Sequence, residues 1–162
     1  MTTSKPNPKE RTLVLLKPDA VQRGIVGEII DRFEQKGIKL VGMKFMKLSD
    51  AILDRHYAEH KGKPFLPKLK AFMRKLPVVA LALEGLEAAR VVRAMCGPTD
   101  GKNAPAGTIR GDYSMSRSTT VVHSSSDAKA AKRELAIFFK SAEIISWERP
   151  DADYFYAADE LN

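Results

Sequence analysis

The sequence predicts an α+β sandwich: a four-stranded antiparallel sheet with helices on its faces. Three observations carry this reading. Four short apolar or β-branched runs, Arg11 to Lys17, Ile38 to Leu48, Val78 to Leu83 and Thr120 to His123, read as strands. The stretches between them place apolar residues at helical spacing, so strands and helices alternate. Glycine and proline mark the changes of period, at Pro18, Gly37, Pro77 and Gly97.

Each element has its own signal. RTLVLLK, Arg11 to Lys17, is a continuous apolar run that Pro18 stops, as expected of a buried strand. Gly24 to Lys36 carries Ile25, Ile29, Ile30 and Phe33 at helical spacing, and Gly37 ends it. Ile38 to Leu48 alternates in part, through Ile38, Leu40, Met43 and Phe45. Ser49 is positioned to cap a helix through Ile52, Leu53, His56 and Tyr57. A second short helix covers Phe65 to Lys75. Pro77 opens the third strand, and Leu86 to Cys96 is helical up to Gly97. Gly97 to Gly111 is rich in Gly, Pro, Asn and Asp and reads as one long loop. Asp127 to Phe139 is the last helix. The order is strand, helix, strand, helix pair, strand, helix, loop, strand, helix. That is the ferredoxin-like split βαβ plan with a helical pair inserted after the second strand.

The chain has 162 residues, which is the size of one domain. Residues 1–10 read as a flexible N-terminal tail, 11–149 as the domain and 150–162 as a C-terminal tail. Tyr154, Phe155 and Tyr156 in that tail predict packing on the domain or on a neighbouring subunit. The N-terminal segment is polar with two prolines, so it is not a secretory signal. No apolar run is long enough for a membrane span. A single cysteine, Cys96, excludes an internal disulfide and fits a reducing compartment. These features predict a cytoplasmic protein. With 27 Lys+Arg against 20 Asp+Glu, the net charge of +7 suits phosphate-bearing partners. Charge alone does not separate nucleic acid from small phosphates.

His123 ends an apolar strand and precedes Ser124, Ser125, Ser126 and Asp127, all good helix caps. Phosphate is favoured at such a helix start, and an imidazole there can accept a phosphoryl group. Glu134, eleven residues on, is placed to orient the ring and leave one nitrogen as nucleophile. Read alone, the same residues also describe a surface histidine beside a cap. His56 to His60 matches H-x-x-E-H, a zinc-hydrolase pattern, but no third ligand accompanies it. P-loop, dinucleotide-binding and protein-kinase motifs are absent, so any bound phosphate needs scattered cations such as Lys17, Arg93 and Arg110.

Six blocks together are similar to the nucleoside diphosphate kinases. They are RTLVLLKPDAVQRGIVGEIIDRFE, KGIKLVGMKF, HYAEHKGKPF, PVVALALEG, GTIRGDY and VVHSSSD, in that order and at the family's spacing. The resemblance spans about Glu10 to Phe139. It implies that His123 carries a phosphoryl group from a nucleoside triphosphate to a diphosphate, with Glu134 orienting it. It implies that Lys17 stabilises the transferring group and that Arg93, Thr99 and Arg110 hold phosphates. Tyr57 would stand near the histidine, Phe65 would stack on the base, and Leu69 would line the nucleotide. Mg²⁺ is the implied cofactor, held mainly by nucleotide phosphates and not by a protein metal site. The implied partners are nucleoside di- and triphosphates and copies of this chain, as a hexamer in preference to a tetramer. Nucleic acid is not a predicted partner, nor is a membrane.

Three positions depart from the family. Thr120 stands where Asn helps hold the sugar, Ser126 where Asp follows the histidine, and Arg117 where an apolar residue lines the base. The resemblance therefore implies an active enzyme with altered sugar recognition.

Overall fold

The chain is described here by a computed structural model covering residues 9–160. The N-terminal tail expected over residues 1–10 lies almost wholly outside them.

Strand β1 (Glu10–Leu16) is central, and β3 (Val78–Gly85) and β4 (Val122–Ser124) flank it antiparallel. Strand β2 (Lys39–Met46) pairs antiparallel with β3, giving the order β2-β3-β1-β4. This is the ferredoxin-like arrangement. Side chains of β1 alternate between two cores. Val14 and Leu16 join Phe33, Leu81 and Val92 on one face, while Leu13 and Leu15 join Leu53, Met73 and Phe138 on the other.

Seven α-helices cover the faces among the described residues: α1 (Pro18–Gln22), α2 (Val26–Gln35), α3 (Asp50–His56), α4 (Leu66–Arg74), α5 (Ala88–Cys96), α6 (Ile109–Tyr113) and α7 (Ala128–Phe138). Ser49 caps α3 as expected, its side chain accepting from the Ile52 N–H. Two helices were not anticipated. Pro18 ends β1 but is also the first residue of α1, where proline's missing N–H costs nothing. The segment Gly97 to Gly111 is not one loop. It contains a 3₁₀ turn, Gly101–Asn103, and the start of α6. Asp100 caps the turn, and the Thr108 hydroxyl accepts from Gly111 N–H at 3.0 Å to cap the helix.

The partial alternation of β2 also has a cause. The register shifts between Leu40 and Gly42, so one extra residue moves the apolar phase from Leu40 to Met43. Leu40, Met43 and Phe45 then stand opposite Leu83, Leu81 and Val79, on one face. At this edge strand Met43 and Phe45 remain 57% and 68% exposed.

The C-terminal residues lie over the start of β2. Trp147 Nε1 donates to the Leu40 carbonyl at 2.9 Å, and the Tyr156 hydroxyl donates to the Gly37 carbonyl at 3.0 Å. Tyr154 does not share this packing and is 90% exposed. Gly37 has φ +89°, and a Cβ there would lie 2.6 Å from a Phe155 ring carbon. Gly37→Ala is therefore expected to cost about 2 kcal/mol through the left-handed backbone and the clash. That corresponds to a fall in Tm of roughly 4–8 °C by calorimetry. Combining it with Phe155→Ala removes only the clash, so part of the fall should persist. An unchanged Tm for the single variant would contradict this account.

Candidate active site

The register of β4 on β1 places His123. It stands directly opposite Leu15, so its side chain points to the Leu15 face, where α3 and α7 pack. Helix α7 buries Ala131, Glu134, Leu135 and Phe138, a stripe at helical spacing. Glu134 is the one acid in that stripe. Its Oε2 lies 3.2 Å from His123 Nε2 and accepts from the Ser125 hydroxyl at 2.6 Å. Burial opposes ionisation of Glu134. The hydrogen bond and charge of His123, then the Ser125 hydroxyl and His56, outweigh it and hold the carboxyl below its usual range. A carboxylate only accepts, so Nε2 is the donor in this contact, and in the neutral ring the lone pair is then on Nδ1. No described residue hydrogen-bonds Nδ1.

Four more rings continue from His123 towards the surface. His56 meets it edge-on with centroids 4.7 Å apart, and Tyr57 lies 4.6 Å from His56. His60 follows at 6.2 Å from Tyr57, and Phe65 at 5.4 Å from His60. Phe65, at the start of α4, is 50% exposed and so is not a core aromatic. Burial drives the His56 pKa down to about 3, with His123 adding to the effect, so this ring is neutral. Burial and Glu134 push the Tyr57 hydroxyl well above its usual value, which keeps it protonated.

The H-x-x-E-H pattern does not form a helical pair. Helix α3 ends at His56, and Glu59 and His60 belong to a separate 3₁₀ turn, Ala58–His60. Glu59 pairs instead with Arg133.

Lys17 leaves β1 one residue beyond the β4 pairing. Its Nζ donates to the Ser118 carbonyl at 2.9 Å and to Thr120 Oγ1 at 3.1 Å, which leaves one N–H unused. Burial lowers its pKa to about 8; Asp19 opposes that shift and Arg110 reinforces it. Arg110, in α6, is 5% exposed and tied at both ends of its fork. It donates to the Gly97 carbonyl and, at 2.9 Å, to the Val122 carbonyl. Its Nε is buried without a protein partner. Thr120 is buried beside Lys17.

The remaining expected site residues are more dispersed. Arg93 is exposed on α5 and lines a cavity of about 390 Å³ with Glu10, Arg90 and Ser126; His123 is not part of its wall. Arg93 is nevertheless close enough to Arg110 to depress that residue's pKa, after burial. Thr99 and Arg117 are exposed, and Leu69 is half-buried against the core on the His123 face. Among the described residues, no hydrogen bond or ring contact ties Leu69, Thr99 or Arg117 to His123.

Two participants were missed. Ser125 was read only as a cap; the N-cap of α7 is Asp127, which accepts from Ala130 N–H at 2.8 Å. Asp19 lies inside the first of the six blocks, where the resemblance implies no role for it. Val121, β-branched, has φ +52°, a strained left-handed conformation. Lys17 N–H donates to its carbonyl at 2.8 Å, and its own N–H donates to Asp19 Oδ2 at 2.8 Å. This clamp also explains why β4 begins at Val122 and not at the expected Thr120.

A family model for nucleoside diphosphate kinase matches residues 10–144. A nucleoside diphosphate kinase of Staphylothermus marinus is 53% identical over 138 residues, covering 85% of this chain and 98% of that protein. One from Parabacteroides distasonis is 50% identical over 152 residues, covering 94% and 99% respectively. The solved structure of a halophilic nucleoside diphosphate kinase from Halobacterium salinarum, in complex with CDP, is similar with a TM-score of 0.90 at 44% identity. That likeness covers 92% of this chain and 99% of the other. Fold and relatives together define a phosphotransferase. The chain belongs to the nucleoside diphosphate kinase family.

Proposed function

We propose that His123 is the nucleophile of a two-step transfer between nucleotides. The observation that carries this is the Nε2 contact to Glu134, which leaves Nδ1 as the lone-pair nitrogen. Nδ1 attacks the terminal phosphorus of a nucleoside triphosphate. The bond to the bridging oxygen breaks and the nucleoside diphosphate leaves. A second diphosphate then attacks the phosphohistidine, the P–N bond breaks, and the free imidazole returns. Glu134 holds the ring while charge develops on it.

The remaining N–H of Lys17 serves the transferring phosphoryl group. Arg110, held by the Gly97 and Val122 carbonyls, adds positive charge beside Lys17, and Arg93 and Thr99 complete the phosphate contacts. Tyr57, protonated, helps position the phosphoryl group. Phe65 gives any base a stacking face, while Leu69 and Arg117 border it. Thr120 takes the sugar side.

The residues present fit Mg²⁺ only as a passenger on the nucleotide. Glu134 is engaged with His123 and Ser125, and Asp19 is held through Oδ2 by the Val121 N–H, with its Oδ1 buried and unpartnered, so no open set of carboxylates stands ready for the ion. When bound, the ion neutralises phosphate charge. Residues 11–149 form the phosphotransferase domain in this reading. The buried, unpaired Cys96 accords with a cytoplasmic location. Among the described residues, no helix is long and apolar enough to cross a membrane.

The test is a phosphoenzyme trap. Protein incubated with γ-labelled ATP and Mg²⁺, without any diphosphate, is expected to take up label that resists base, is lost in acid and chases onto GDP. Folded protein that takes no label would overturn the reading.

Self-association belongs to the same proposal, as a hexamer ahead of a tetramer. The exposed apolar face of the β2 edge, Met43 and Phe45, supports assembly. Light scattering is expected to give an oligomer mass, and a stable monomer would contradict it.

A further inference from the structure

The transfer chemistry leaves His56 without a task. Both of its ring nitrogens are buried with no hydrogen-bond partner, and the side chain is 6% exposed. Buried polar atoms are almost always paired, so an imidazole left bare at both nitrogens points to a ligand. His56 is packed against His123, and α7 brings Glu134 to the same place. One ligand atom from each of His56, His123 and Glu134 lies within 4.8 Å of the other two.

Two of the three are already at coordination spacing. His123 Nε2 and Glu134 Oε2 are 3.2 Å apart. Neighbouring ligands around a tetrahedral ion with bonds of about 2.1 Å stand roughly 3.4 Å apart. With the three residues' ligand atoms within 4.8 Å of one another, completing a three-sided cage takes a shift of about 1–2 Å, within reach of side-chain rotation. Two imidazoles and one carboxylate are a zinc-type donor set, whereas Mg²⁺ takes oxygen ligands.

We propose that His56, His123 and Glu134 bind a zinc-class divalent cation, with water as fourth ligand, and that this cation blocks phosphorylation of the enzyme. The block follows from proton placement and rests on Nδ1 being the nucleophile. The cation takes the Nε2 lone pair, so the ring proton moves from Nε2 to Nδ1. Nδ1 then has an N–H and no lone pair for phosphorus. Nothing is oxidised or reduced, and removing the cation restores the original tautomer.

Cobalt(II) is the probe, because tetrahedral cobalt absorbs visible light far more strongly than six-coordinate cobalt. Adding CoCl₂ to the full chain should produce that absorption, saturating at one equivalent and displaced by ZnCl₂. His56→Phe, which suits the apolar surroundings, and His56→Gln should both lose the band. His60→Ala, a control for surface binding, should keep it. With one equivalent of Zn²⁺ and excess Mg²⁺, labelling by γ-labelled ATP should drop at least tenfold, and a zinc-selective chelator should restore it. Absence of the band in the parent chain, or its survival in both His56 variants, would overturn the site. Full labelling of zinc-loaded protein would overturn the block. Metal-free protein that takes no label would instead sink the nucleophile assignment, and the cobalt spectrum would still decide the site.

Discussion

His123→Ala is expected to lower kcat by roughly a millionfold, the scale on which enzymes lose rate when a covalent nucleophile is removed. The phosphoenzyme should vanish with it, because among the described residues no other imidazole is hydrogen-bonded to Glu134. His56 packs on His123 with ring centroids 4.7 Å apart, but it is buried in the sheet–helix layer. The substitution should leave the fold intact, since His123 is only part-buried. Rapid-quench measurement of phosphoenzyme, together with a denaturation curve, checks both halves of this expectation. Label retained at more than a few per cent on folded His123→Ala would move the nucleophile elsewhere.

The second large effect is a pH dependence with a definite sign. Burial, opposed by Asp19 and reinforced by Arg110, brings the Lys17 pKa down to about 8. Lys17 is therefore a cation below pH 8 and neutral above it. The cation is the form that stabilises a phosphoryl group, so kcat/KM should fall as pH rises through about 8. kcat/KM reports the free enzyme. A bound phosphate favours the charged lysine, so the fall in kcat itself should appear at higher pH. Lys17→Met should cost about 10²–10³ in kcat at pH 7, as for loss of one charge-stabilising donor, and should flatten the alkaline limb. A flat kcat/KM profile from pH 7 to 9.5 in the parent enzyme would show that Lys17 is not the group that matters.

Much of this was legible beforehand, and each miss has a physical cause. The apolar run before Pro18, the Ser49 cap and the stop at Gly97 are local signals and were read correctly. Glu134 could be tied to His123 because helical spacing puts it in the buried stripe of α7. The helix at Pro18 was missed because proline both ends strands and begins helices, and only the fold decides which. The 3₁₀ turn and α6 hid in a glycine-rich stretch because their caps, Asp100 and Thr108, are single side chains. The H-x-x-E-H match failed because helix α3 ends at His56, the first residue of the pattern, and leaves Glu59 and His60 on a separate turn. Asp19 and the strained Val121 were out of reach, since their link joins residues 102 positions apart.

That separation has a consequence for how the enzyme is made. Lys17 and Thr120, which share a hydrogen bond, are 103 positions apart. At about 5–20 residues per second, a growing chain carries its lysine for roughly 5–20 s before the residue it binds exists. Strand β4, only three residues long, pairs with β1 alone among the strands and arrives after the other three. Synthesis must therefore leave one side of the central strand open, and the site closes as nearly the last event in the birth of the protein.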